Sequence, residues 1–420
     1  MSSNVEMKDS ITVLKDGMLI DGNGEPPVDN SVLIIKGDRI EYVGKIGSVE
    51  IPPEAKIIDI TGKTIIPGLI DAHCHPAGIR KLDPMAWIIE SSELKAIRSV
   101  MDVWMLADNG FTTIRDCGSP TSIHLKIAVE EGTIIGPRIL TSCKPICQTG
   151  GHFDIPHSLP MSWVAERGFA RRADGVAECR RAAREQLREG ADFIKICTTG
   201  GVMSERGSPT STQFTVEEIR AIVEEAQSAG VKTASHAQGT QGIKNALLGG
   251  VDTIEHGIYL DDEVIEMMIK QNTYLIPTFA IVEAIINGGT EFGIPEVSLN
   301  KARKVMEAHI NSIRKAWQAG VRIGLGTDYM SDPMSPMGEN AIELELYVKA
   351  GRSPMEAIVS ATKINSEALG IDDKLGSLEA GKLADLIVVK GNPLNDIGIL
   401  RDKKNIDQVY KGGKEIPRLD

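Results

Sequence analysis

Two kinds of apolar pattern alternate through the middle of the chain. From about Pro67 to about Asp372, short apolar runs alternate with longer stretches whose apolar residues recur at helical spacing. The short runs are TIIPGLIDAH, FTTIRD, RILTSC, DFIKIC, KTASHA, DTIEHG, TYLIPTF and RIGLGTD. Between them lie stretches such as VAECRRAAREQLREG, TVEEIRAIVEEAQSAG and LNKARKVMEAHINSIRKAWQAG, which read as amphipathic helices. Gly190, Gly230 and Gly320 stand near the ends of these three, where glycine takes the left-handed conformation that closes a helix. Eight strands, each followed by helical sequence, predict an α/β fold, a (β/α)8 TIM-like barrel. An open doubly wound sheet competes with it, but no GxGxxG follows the first strand.

The two ends of the chain carry a different pattern. ITVLKDGMLIDGNG, SVLIIKGDRIEYVG and AKIIDITGKTII are short strand-like runs broken by Gly, Asp, Asn and Pro, and no helical period interrupts them. GSLEAGKLADLIVVKGNP and IDQVYKGGK near the C-terminus behave alike. Because chain ends often meet in space, both can build one small β-sandwich. The expected division is a split β-domain from residues 1–66 and 372–420, around a catalytic barrel at 67–371.

Composition narrows the function. The 420 residues are 42% hydrophobic and 25% charged, which is globular and excludes a disordered chain. With 58 acidic against 46 basic residues the net charge is -12, which repels phosphate backbones and anionic membranes, so neither nucleic acid nor membrane is an expected partner. MSSNVEMKDSITVLKDG has no continuous apolar core of the kind a signal or a span needs, and a cytoplasmic location is expected. The six cysteines are scattered and sit in or beside apolar runs, as reduced packing residues do. Cys143 and Cys147 form a C-x3-C pair, but no second pair follows to complete a finger-type zinc site.

The chemistry gathers at strand ends. In a (β/α)8 barrel the active site lies at the C-terminal ends of the strands, so ligand-type residues there carry weight. The first run ends in Asp71-Ala72-His73-Cys74-His75, and the period of two turns His73 and His75 to one face and Cys74 away. Paired imidazoles suit Zn2+ or a similar ion, although two surface histidines on a loop would read the same. Lys195 sits in DFIKIC among residues that should be buried, where a bare cation must be paired, neutralised or modified unless it snorkels to water. His236 and His256 end the fifth and sixth runs, and Asp328 ends the eighth. Singly, each histidine reads as a satisfied structural residue and Asp328 as a helix cap. The barrel register puts all six at one rim, which the separate structural readings do not explain.

That set in that order resembles the amidohydrolase superfamily, and the likeness spans nearly the whole chain, including the GKTIIPGLIDAHCH lead-in and the late LGSLEAGKLADLIVV segment. The resemblance implies two divalent metal ions, zinc by default for imidazole and carboxylate ligands, with manganese, cobalt or iron as substitutes. It implies that Lys195 is carboxylated and bridges the ions, which removes the buried-charge difficulty. His73, His75 and Asp328 would hold one ion, and His236 and His256 the other. Two cations lower the pKa of a bridging water and polarise a carbonyl. Asp328 is then the proton shuttle to the leaving group. QTGGHFD after the third run resembles the G-G-H loop of the peptidase-like branch, which makes His152 the expected donor to the oxyanion. His157, close by, has no assigned role.

The TGGH, KICTTGGVMS and EHGIY segments look like the branch of Xaa-Pro dipeptidases and related carboxypeptidases, which act on dipeptides or N-acyl amino acids. Other members of that branch act on further amides and carbamates, xenobiotic ones included. Tyr259 is a candidate substrate-carboxylate donor, and Arg206 a second anchor, since a guanidinium matches a carboxylate bidentately. A solvated loop arginine fits Arg206 as well. Single-metal deaminases and imidazolonepropionase-like enzymes share the fold and the HxH, but those relatives lack the strand-four lysine, so Lys195 argues against them. A catalytically dead barrel with a structural role would be marked by lost ligands, and none of the six is missing. Relatives of this kind are commonly oligomeric, so a homo-oligomer is expected.

Overall fold

The computed structural model describes residues 10–202, 204, 207–292 and 296–419. Its centre is the expected (β/α)8 barrel. Leu69–Cys74 pairs in parallel with Phe111–Asp116, and that strand with Arg138–Thr141. A second parallel series runs Phe193–Cys197, Lys232–Ala237, Thr253–His256 and Tyr274–Ile276. Asp192 N donates to Thr141 O at 2.8 Å and joins the two series.

The eighth run departs from the expectation of a regular strand. Residues 322–329 close the barrel through scattered backbone bonds: Leu275 N to Arg322 O at 3.0 Å, Ala72 N to Leu325 O at 2.9 Å and His75 N to Tyr329 O at 2.7 Å. The interruption has a cause. The side-chain amide of Asn365 is inserted beside the run, donating to Ile70 O and Leu325 O at 2.7 and 2.8 Å and accepting from Leu325 N at 2.9 Å. It supplies the bonds that a ladder would have made. Gly324 makes room, because a Cβ there would lie 2.2 Å from Asn365 Oδ1.

Both chain ends enter one β-sandwich. Ile11–Lys15, Ser31–Lys36, Arg39–Lys45 and Lys56–Asp59 form one sheet. Met18–Leu19, Lys63–Pro67, Leu386–Lys390, Ile406–Lys411 and Lys414–Glu415 form the other. Leu14, Leu33, Ile35, Ile65, Leu386 and Val388 fill the space between. The LIVV run is apolar throughout because both its faces are covered: Leu386 and Val388 face the sandwich, while Ile387 and Val389 join the barrel cluster. The lead-in TIIPGLIDAH is accordingly two strands, with the break at Gly68, where a Cβ would lie 2.1 Å from Thr112 Oγ1.

Helices follow the three predicted stretches, at Val176–Glu189, Val216–Ser228 and Glu296–Ala319. Gly190 caps the first at φ 101°. All six cysteines are free and buried. No described helix is long and apolar enough to cross a membrane.

Candidate active site

Strand ends bring His73, His75, Lys195, His236, His256 and Asp328 into one cluster, in which all but the half-buried Asp328 are buried. Neighbouring imidazole centroids lie 5.4 Å apart for His73 and His75, 5.1 Å for His73 and His256, and 4.6 Å for His236 and His256. One ligand atom each of His73, His256 and Asp328 falls within a 4.8 Å span. Cys74, between the first two histidines, packs into the hydrophobic core instead, as strand alternation requires.

Each histidine is tied down by one nitrogen. His73 Nδ1 lies 2.6 Å from Glu255 Oε2, and His75 Nδ1 donates to Gly118 O at 3.0 Å. His236 Nε2 donates to Gly200 O at 3.1 Å, and His256 Nδ1 lies 2.7 Å from Thr278 Oγ1. A nitrogen that donates to a carbonyl or carboxylate leaves the other bare in the neutral ring, which is how proteins orient metal-binding imidazoles. The bare nitrogen of His73 lies 3.4 Å from both Lys195 Nζ and Asp328 Oδ1. His75 Nε2 is buried 3.1 Å from Asp328 Oδ1, without the alignment of a hydrogen bond.

Burial pushes the imidazoles of His73, His236 and His256 well below their ordinary range, and neighbouring cationic groups push the same way. Burial acts to raise the Asp328 carboxyl, but His73 and His75 beside it hold it below the usual carboxylate value. Lys195 is 1% exposed and forms no ion pair with a carboxylate among the described residues. Burial lowers the His75 imidazole too, but Asp328 and Asp116 beside it raise it above its ordinary value. Three neutral imidazoles, a fourth on His75 paired with an ionised carboxylate, and a buried lysine without a carboxylate partner form a donor set that fits divalent metal ions, which displace the His75 proton on binding.

His152 reaches the cluster from the loop after the third strand. Its ring stacks on His236 at 4.1 Å, and its Nδ1 lies 2.7 Å from Ser204 Oγ. The loop is fixed by Gly150 N donating to Asp154 Oδ2 at 2.9 Å and His152 N to Gln213 Oε1 at 3.2 Å. Gly201 permits the approach, because a Cβ there would lie 2.4 Å from His152 Cε1. Burial takes the His152 imidazole down to about 4, so it is neutral near pH 7. Tyr259 is half-buried against the barrel core and is not among the described side chains that line the pocket above the cluster. Arg206 lies outside the described residues.

Several functional neighbours escape a motif reading. Glu255 is fully buried, with Oε1 2.7 Å from Arg115 Nη2, and Arg115 Nε donates to Ala72 O at 2.5 Å. Asp71 accepts from His73 N at 2.9 Å and from Thr327 Oγ1 and Asn340 Nδ2, each at 2.7 Å, and burial raises its carboxyl to about 6. The signal was present: Arg115 and Glu255 are charges inside FTTIRD and DTIEHG, just as Lys195 is in DFIKIC. His256, Thr278 and Asp328 have φ of 72°, 58° and 59°, a left-handed conformation that non-glycine residues rarely adopt and that collects at functional sites.

The model of the amidohydrolase family matches residues 64–416, which includes every residue of the cluster. The chain belongs to the amidohydrolase family. Among relatives of this amidohydrolase, the ochratoxinase of Aspergillus niger is 34% identical over 96% of this chain and 86% of its own. The crystal structure of that enzyme superposes with a TM-score of 0.89, covering 97% of this chain and 96% of the other. A prolidase crystallised with N-methylphosphonate-L-proline is 34% identical, with a TM-score of 0.90 over 98% of this chain and all (100%) of the other. A Xaa-Pro dipeptidase with bound methionine is 36% identical, with a TM-score of 0.87 over 97% and 100%. This amidohydrolase is a hydrolase of amide bonds.

Proposed function

We propose that the enzyme hydrolyses the C–N bond of a dipeptide or an N-acyl amino acid with two divalent ions, zinc by default, bound at the cluster. His73, His75 and Asp328 would hold one ion and His236 and His256 the other, with Lys195 joining them in its carboxylated form. The observation that carries this reading is the tethering of all four imidazoles through one nitrogen, which readies the second as a ligand. Carboxylation makes the buried Lys195 anionic, and that agrees with its lack of a carboxylate partner. We take residues 67–371 as the catalytic unit and 1–66 with 372–420 as the β-domain that supports it.

Bound divalent ions supply a nucleophilic water near neutral pH and polarise the scissile carbonyl. The chain supplies the rest. Asp328, ionised and 3.1 Å from His75 Nε2, accepts the proton of the attacking water and delivers it to the leaving nitrogen. His152 donates to the oxyanion from a loop braced by Asp154 and Gln213. The pocket above is walled on its apolar side by Trp87, Phe153, Ile281, Ile285, Met330 and Met334, which favours a bulky apolar group on the substrate.

The test is to purify the protein with bicarbonate and zinc, count metal per chain, and assay Xaa-Pro, Xaa-Arg and N-acyl amino acids beside aminopyrimidines. Two ions and release of a free amino acid are expected. One ion with ammonia release would move the enzyme to the single-metal deaminases.

A further inference from the structure

The pocket contains polar groups that the hydrolytic machinery does not use. His309, on the helix Glu296–Ala319, is 0% exposed and lines the pocket. Its Nε2 lies 2.7 Å from the carbonyl oxygen of His256, which can only accept, so Nε2 carries the proton. The Nδ1 of the neutral ring is then a bare acceptor, and it is buried without a hydrogen-bond partner among the described residues. Gln238 lines the same pocket, is 7% exposed, and its Oε1 is likewise buried and unpartnered.

The two residues flank one turn. Gln238 follows the fifth strand and its carbonyl accepts from Tyr259 N at 2.9 Å, while His309 holds the carbonyl of His256 on the other side. Ile258, between them in sequence, lines the pocket, as do Ile281, Val282 and Ile285 of the helix Phe279–Gly288. Buried acceptors in folded proteins are nearly always paired, so two unpartnered ones in residues that line one pocket call for a donor that the chain does not provide. No described lysine or arginine lines this pocket. A carboxylate is refused there, because a carboxylate and a bare imidazole nitrogen are both acceptors. A full cation is poorly served by two neutral acceptors beside Ile258, Ile281, Val282 and Ile285; of the two carboxylates that line the same pocket, Asp328 belongs to the histidine cluster and Asp332 is committed to Met334 N, Ser335 N and Ser335 Oγ.

We infer that His309 and Gln238 form a specificity subsite for a neutral hydrogen-bond donor, an amide N–H or a hydroxyl, carried by the apolar part of the substrate. The inference rests on the amide-hydrolase reading of the cluster and adds to it which amides are chosen. The ring of His309 sets the polarity of the subsite, since its other nitrogen is already committed; the carboxamide of Gln238 can turn to present its oxygen.

The test uses matched synthetic amides. On the acyl side, 2-hydroxy-3-phenylpropanoyl-proline is compared with 2-methyl-3-phenylpropanoyl-proline, which exchanges a hydroxyl for a methyl group of similar size. On the amine side, the phenylacetyl amide of leucinamide is compared with that of isopentylamine. In at least one pair the donor-bearing member should be preferred by about tenfold to a hundredfold in kcat/KM. Gln238→Leu, and His309→Gln with its amide nitrogen replacing the Nε2 donor to His256, should each bring that ratio close to one with metal content unchanged. Two separate variants protect the test against one that fails to fold. Ratios within twofold in both pairs, or ratios that survive both substitutions, overturn the subsite while leaving amide hydrolysis intact. No turnover of any amide by metal-loaded wild-type enzyme overturns the underlying function instead.

Discussion

The carboxylate of Glu255 lies 2.6 Å from Nδ1 of His73, and both side chains are buried. Its other oxygen lies 2.7 Å from Arg115 Nη2, so one carboxylate orients a candidate ligand and neutralises a buried guanidinium. Glu255→Ala would strand Arg115 in the interior, and removing one partner of a buried ion pair costs about 3–5 kcal/mol. The expected result is that loss in denaturant unfolding. Glu255→Gln should fold better but weaken zinc binding about 10- to 100-fold in a chelator competition. Wild-type zinc affinity in Glu255→Gln would remove His73 from the ligand set or Glu255 from its support.

Thr278 is β-branched yet holds φ at 58°, and its hydroxyl lies 2.7 Å from Nδ1 of His256. The strain is on the order of 1–3 kcal/mol. Thr278→Ser keeps the hydroxyl and relaxes the branch, so it should retain activity with equal or better stability. Thr278→Val keeps the shape and loses the bond, so kcat should fall while the melting temperature changes little. Steady-state kinetics beside thermal melts separate the two.

Lys195→Met should lower the metal content below two ions per chain, read by elemental analysis after dialysis. A variant that keeps two ions would make Lys195 a packing residue. His152→Phe leaves the proposed ligands in place, so metal content should hold while kcat falls about 10²- to 10³-fold.

Burial, with Arg138 acting in the same direction, brings the amine of Lys411 down to about 8, and its Nζ donates to Gly136 O. Between pH 8 and the ordinary lysine value of 10.5 the unfolded chain therefore holds more protons than the folded one. Stability from this group rises with pH across that window, and its cost is fully present below pH 8. Lys411→Met should be more stable than wild type at pH 7, with the difference shrinking as pH approaches 10.5. A difference independent of pH would attribute the gain to packing alone.

Periodicity in the sequence determined the barrel, because a hydrophobic period is a local property of the chain. The alternation of βα units, the glycine stops and the strand-end positions of His73, His75, Lys195, His236, His256 and Asp328 were all legible in order along it. Tertiary structure alone decided which nitrogen is bare in three of the imidazoles. The acceptors that settle it, Glu255 for His73, Gly118 for His75 and Gly200 for His236, come from other strands and loops, as does the Thr278 hydroxyl that orients His256. It also decided that Asn365, far along the chain, replaces a ladder beside the eighth run, and that His309 enters the pocket from a helix that reads as an ordinary amphipathic one. Local pattern specifies which face of an element is apolar; hydrogen-bond direction depends on atoms that only folding brings within 3 Å of one another.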